Sequence, residues 1–107
     1  QALRYYEDFL RLAKVHFGGY HEDVCNVTTC VGQVLQSLGH LERSLKSFQD
    51  ALRIAQVLYC PINADIAAIQ KKIATLHYFM KNYDLALKAY HAALDVELQI
   101  FHEQDSK

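Results

Sequence analysis

ALRYYEDFLRLAKV (Ala2–Val15) returns as SLKSFQDALRIAQV (Ser44–Val57), and again, more loosely, as ALKAYHAALDVELQ (Ala86–Gln99). Both offsets are 42 residues. Leu3, Leu45 and Leu87 fall in register, as do Tyr6, Phe48 and Tyr90, then Leu10, Leu52 and Leu94. The intervening segments match in type: DVCNVTTCVGQVL (Asp23–Leu35) against DIAAIQKKIATLH (Asp65–His77). A fixed period that keeps apolar class and side-chain size is the mark of a repeat architecture.

Each unit reads as two helices. Leu41, Leu45, Phe48, Leu52, Ala55 and Tyr59 step by fours and threes, which puts them on one helical face. Val24, Val27, Val31, Leu35 and Leu38 do the same, as do Ile66, Ile69, Ile73, Leu76 and Met80. The pattern predicts five helices, about residues 2–17, 23–38, 41–59, 63–80 and 83–103, with HEQDSK at the end fraying. Between paired helices lie LGHLE (Leu38–Glu42) and KNYDL (Lys81–Leu85), short enough to make the pairs antiparallel. Gly39 and Asn82 are the residue types that accept the left-handed conformation ending a helix. The expected architecture is an all-α, right-handed α-solenoid of antiparallel pairs forming one domain. In it, 2–17 closes a preceding repeat, and 23–59 and 63–103 are full repeats.

FGGYHEDVC (Phe17–Cys25) packs His21, Glu22, Asp23 and Cys25 behind two glycines and has the look of a site. Its counterpart 42 residues on is CPINADI (Cys60–Ile66), where His21 becomes Asn63, Glu22 becomes Ala64 and Cys25 becomes Ala67. The ligand types do not recur. A breaker, then Asp, then a β-branched residue do, and those start a helix. Gly18 and Gly19, or Pro61, stop the previous helix, and Asp23 and Asp65 are placed to cap the next one. His21 and Cys25, even with His16 as a third donor, fall short of the four ligands of a structural zinc site. The stretch therefore reads as a turn, with no metal and no cofactor.

The chain has 107 residues, 51% hydrophobic and 21% charged, with net charge −1. That suits one folded domain and gives no electrostatic footprint for nucleic acid or an anionic membrane. No apolar run is long enough to span a bilayer. Three cysteines, Cys25, Cys30 and Cys60, lack disulfide-framework spacing, which favours a reducing, cytoplasmic setting. The opening QALRYYEDFL is already helical in pattern, as in a segment of a longer protein. No phosphate-binding glycine loop occurs, and nothing assembles a nucleophile, a base and oxyanion donors. His77 takes an aromatic core position and reads as a hydrogen-bonded packing residue. His40 lies in a turn, and His91 and His102 are on the last helix. The expectation is a non-enzyme.

The pattern resembles the tetratricopeptide repeat. That family keeps a small residue where the first helix crosses its partner, and Gly32 and Ala74 stand there, with Val31 and Leu35, then Ile73 and His77, as the large neighbours. Its second helix runs small, aromatic, small: Ser44, Phe48, Ala51, then Ala86, Tyr90, Ala93. A small side chain lets two axes approach, and the aromatic ring fills the gap opposite. The 42-residue period is similar to the long variety of kinesin light chains, and GGYHEDV (Gly18–Val24) to its G-x-x-H-P-x-V junction, with Glu22 in the proline place. The clustered-mitochondria proteins carry similar long repeats. Where kinesin light chains carry paired asparagines, this chain has Thr29 and Cys30, then Lys71 and Lys72.

The resemblance implies a protein-interaction scaffold whose first helices line a concave groove. Its exposed positions would be Asn26, Thr29, Gln33 and Gln36, then Lys71, Thr75, Tyr78 and Phe79. Amides and hydroxyls there suit a peptide backbone, Lys71 an acidic residue, and Tyr78 and Phe79 apolar side chains. Tyr5, Phe9 and Leu12 on the first helix, and Val96, Leu98, Ile100 and Phe101 on the last, exceed what a core face needs. They predict flanking repeats of the same protein, or self-association. The competing reading is a regulatory or targeting segment packed on the catalytic domain of a larger enzyme.

Overall fold

The computed structural model describes residues 2–59 and 62–105. It contains five α-helices: α1 (Ala2–Phe17), α2 (Glu22–Ser37), α3 (Leu41–Leu58), α4 (Ala64–Phe79) and α5 (Tyr83–Asp105). Every boundary lies within two residues of expectation. α5 continues to Asp105, into the tail expected to fray. Cys60 and Pro61, the expected stop after α3, lie outside the described residues. The helices form two compact units, Gln1–Leu58 and Tyr59–Lys107.

In the first unit α1 packs on α2 and α2 on α3. Gly18, at φ +84°, ends α1 in the left-handed region that glycine enters without strain. The α2–α3 crossing is built around Gly32. A Cβ there would lie 2.8 Å from Cε1 of Phe48, so only a hydrogen lets the ring seat. Phe48 is fully buried, with Val24, Val31, Leu35, Ala51, Ile54 and Ala55 around the same core. Ser44 is also fully buried, and its Oγ donates to the Gly32 carbonyl at 2.6 Å. The hydroxyl is thus satisfied where water cannot reach it.

In the second unit α4 packs on α5. Ile66, Ala67, Ile69, Ile73, Ala74, Leu76 and His77 of α4 are buried, but among the described residues α5 adds only Ala86 and Ala93. At the matched register, Tyr90 is 44% exposed where Phe48 has no exposure. The methyl of Ala74 stands where Gly32 leaves room, and the Tyr90 hydroxyl lies 3.3 Å from Thr75 Oγ1.

Both turns between paired helices close with the same double bond. The N–H of Gly39 reaches the Gln36 carbonyl and that of His40 the Leu35 carbonyl, at 3.0 and 2.9 Å. Lys81 reaches Tyr78 and Asn82 reaches His77, at 3.0 and 2.8 Å. These are Schellman closures, whose left-handed residue is the first past the cap. Gly39 holds it at φ +85°. In the second turn it is Lys81, at φ +64°, and not Asn82.

The helix starts also differ from expectation. Asp23 and Asp65 lie inside the first turns of α2 and α4, where their charge still suits the helix dipole. The caps are His21 and Asn63. His21 Nδ1 accepts from the Asp23 N–H at 3.1 Å, and Asn63 Oδ1 from the Asp65 N–H at 2.7 Å. They are one period apart, so the histidine of the first junction does an asparagine's work in the second.

Candidate functional site

The eight groove candidates occupy the outward arcs of α2 and α4. In the first unit Asn26 and Gln33 are exposed, and Thr29 and Gln36 half-buried, opposite the buried row of Val24, Val31 and Leu35. Thr29 Oγ donates to the Cys25 carbonyl at 3.0 Å, one turn back. Its proton is committed, so toward a ligand it offers lone pairs. The amides of Asn26 and Gln33 reach solvent.

In the second unit the arc carries Lys71, Thr75, Tyr78 and Phe79. Lys71 Nζ is ion-paired with Glu97 of α5, so the acidic partner expected of a ligand is already present in the chain. Both side chains are more than two-fifths exposed. Such a pair is screened and adds under about 1 kcal/mol, so exchange for an incoming carboxylate is easy. Thr75 donates to the Lys71 carbonyl at 3.0 Å, which leaves the nearby Tyr90 hydroxyl to donate to Thr75 Oγ1.

Tyr78 and Phe79 are 56% and 55% exposed at the end of α4. Their rings meet edge to face at 6.0 Å, and Tyr78 meets Tyr83 of α5 the same way at 5.6 Å. Counting back one period, the places of Tyr78 and Phe79 are held by Gln36 and Ser37. The repeat does not need aromatic residues there to fold.

The pattern gave Leu98 and Phe101 as surplus surface, and both are exposed, but it missed the row that joins them to this cluster. On α5, Tyr83, Leu87, Tyr90, Leu94, Leu98 and Phe101 step by four, three, four, four and three, and all are exposed. Leu87, Tyr90 and Leu94 share register with the packing face of α1 and α3, which suggested shielding. Conversely, Val96 and Ile100, expected as surplus surface, are half-buried. On α1, Tyr5 and Leu12 are exposed as expected and Phe9 is half-buried. An apolar bowl of about 640 Å³ runs along that helix from Phe9 to Phe17.

A separate cleft of about 410 Å³ in the first unit lies against α1, α2 and α3. Leu10, Val31 and Ile54 give it apolar walls, and Lys14, Tyr20 and Asp50 a polar rim. None of the groove candidates lines it. Its acids are engaged: Glu7 with Arg43 at 3.6 Å and Asp50 with Arg53 at 3.3 Å.

The polar stretch after α1 divides between cap and core. His21 is half-buried with its ring stacked on Phe17, centroids 4.4 Å apart. Cys25 is buried, and its Sγ lies 3.5 Å from the Ala51 carbonyl. The cysteine faces the core while His21 Nδ1 is taken by the backbone, so the two do not converge on a common ion. No group of three or more His, Cys, Asp or Glu residues is placed to hold a metal among the described residues. Among them, too, no helix is long and apolar enough to cross a membrane. His77 is 9% exposed and packs in the core as expected, but its Nδ1 has no hydrogen-bond partner.

No protein-family model and no curated protein matches this chain.

Proposed function

We propose that the chain is a non-catalytic interaction module of tetratricopeptide type, a solenoid segment that presents its first helices to a peptide or helix of a partner protein. The observation that carries this reading is the exposed aromatic cluster of Tyr78, Phe79 and Tyr83. Three large rings more than half exposed are unfavourable in water, and covering them lowers the free energy. They stand where the other repeat has Gln36, Ser37 and Leu41, so folding does not account for them. The outward amides of Asn26 and Gln33 and the exchangeable Lys71–Glu97 pair supply polar groups for a peptide backbone and an acidic side chain.

The bare apolar face of α1 favours the second reading, a segment packed on a larger enzyme's catalytic domain, because a contiguous exposed apolar patch marks a contact surface.

The test is capture of partners by the intact chain beside a variant carrying Thr29→Glu, Lys71→Glu and Tyr78→Ala. A partner that binds the chain and is lost with the variant supports the groove. Partners held equally by both place the function elsewhere on the surface.

A further inference from the structure

The cleft of about 410 Å³ in the first unit combines apolar walls with a charge that nothing around it matches. α1 and α3 both pack on α2, and Thr28 and Val31 of α2 line the space between them. Val31 and Ile54 are buried and Leu10 is half-buried, so its apolar sides are firm. One end is strapped by the Glu7–Arg43 pair, which joins α1 to α3 at 3.6 Å. A polypeptide laid along the cleft would meet that strap. The space suits a short molecule instead, and its volume is within the range of small-molecule sites.

The charges select the kind of molecule. Both carboxylates on the lining already have a cation, Glu7 that of Arg43 and Asp50 that of Arg53. Lys14 has no ion-pair partner among the described residues. It stands two turns beyond Glu7 on α1, about 10 Å along the axis from the strapped end. Tyr20, on the loop after α1, is 52% exposed, and its hydroxyl is not engaged. The Thr28 hydroxyl, by contrast, is spent on the Val24 carbonyl at 2.6 Å. One period on, Lys14 and Tyr20 become Gln56 and Ile62, so the repeat needs neither a cation nor a phenol there to fold.

We infer that this cleft is a binding site for a small organic acid, with its aliphatic body between Leu10, Val31 and Ile54 and its carboxylate at Lys14. The Tyr20 hydroxyl is a further donor to that carboxylate. An exposed ammonium gains little from one anion, so the apolar walls supply most of the affinity and Lys14 selects the sign of the charge. The site goes beyond the groove reading and does not depend on it, since none of the groove candidates lines the cleft.

The probe is octanoate, titrated into the intact, isotopically labelled chain and followed by amide chemical shifts. Gly19 and Ser47, which line the cleft, are expected to shift saturably, and Gly39, which does not, to stay in place. Butanoate, with less apolar body, should bind at least about tenfold more weakly. Octylammonium, with the same chain and the opposite charge, should also bind more weakly than octanoate. Lys14→Arg keeps octanoate binding, Lys14→Gln weakens it about fivefold, and Lys14→Glu reverses the preference in favour of octylammonium. Position 14 is exposed, so helicity by circular dichroism stays that of the parent. No saturable shift would overturn the proposal, as would equal binding of the two charges. Binding lost with Leu12→Lys but kept with Lys14→Glu would put octanoate on the outer face of α1 and overturn it. Tighter binding of an acetylated peptide of three glycines and a terminal leucine would make the carboxylate that of a protein C-terminus, and overturn it too. The groove variant binds octanoate like the parent, so the two readings fail separately.

Discussion

The ring of Phe48 occupies the place that any side chain at Gly32 would need, with Cε1 2.8 Å from the position of the missing Cβ. Both lie in the fully packed α2–α3 crossing, where neither helix has slack to shift. Alanine at position 32 would gain about 1 kcal/mol of helix propensity. It would also force the ring or the helix outward, at about 1–3 kcal/mol. Gly32→Ala is expected to lower unfolding stability in urea on balance. Combining it with Phe48→Leu should recover part of the loss, as a double-mutant cycle would show.

Lys81 sustains a left-handed backbone that its side chain opposes. The closure bonds from Lys81 and Asn82 hold it there. Lys81→Gly should raise stability by about 1 kcal/mol by removing the Cβ penalty. Gly39→Ala should lower it by a similar amount at the matching turn. Thermal melts of the two variants are expected to move in opposite directions.

The two caps are chemically different but equivalent in role. His21→Ala and Asn63→Ala should each lower stability by about 1 kcal/mol, the ordinary effect of losing an N-cap acceptor. His21→Asn keeps an acceptor at the same reach and should show little loss. If His21→Asn proved as damaging as His21→Ala, the stacking of the ring on Phe17 would outweigh the cap.

His77 is a polar group where the other repeat carries Leu35. Its Nδ1 is buried without a partner, which costs about 1–3 kcal/mol against a satisfied or apolar alternative. Leucine is of similar size and already serves at this register. His77→Leu should therefore raise the urea midpoint with an unchanged slope. A fall would mean that the other face of the imidazole carries packing that leucine cannot replace.

The period and the five helices were legible because they rest on spacing, and spacing survives large changes of residue. The fine chemistry of the ends was less legible. Residue preference pointed to Asn82 for the left-handed position, whereas counting 42 from Gly39 leads to Lys81, where the hydrogen bonds place it. Here backbone closure overrides side-chain preference. The aspartates drew attention from the true caps because imidazole is an uncommon cap, and only its alignment with Asn63 betrays the role. For the candidate site, the outward arcs of α2 and α4 could be read from the helical pattern. The engagement of Lys71 by Glu97 could not, since it depends on how α4 and α5 cross. Nor could the exposure of Leu87, Tyr90 and Leu94: a hydrophobic pattern marks which face wants cover, not whether cover is present.

The contrast between Gly32 with Phe48 and Ala74 with Tyr90 limits how freely the repeats can be recombined. Each small residue has been matched to its own ring. A chimera that grafts α5 in place of α3 would set a tyrosine hydroxyl over a dry crossing with no Thr75 to receive it. The reverse graft would drive a phenylalanine ring against the Ala74 methyl. The two halves are not spare parts for each other, and any lengthening of this chain by duplication must copy helices in their matched pairs.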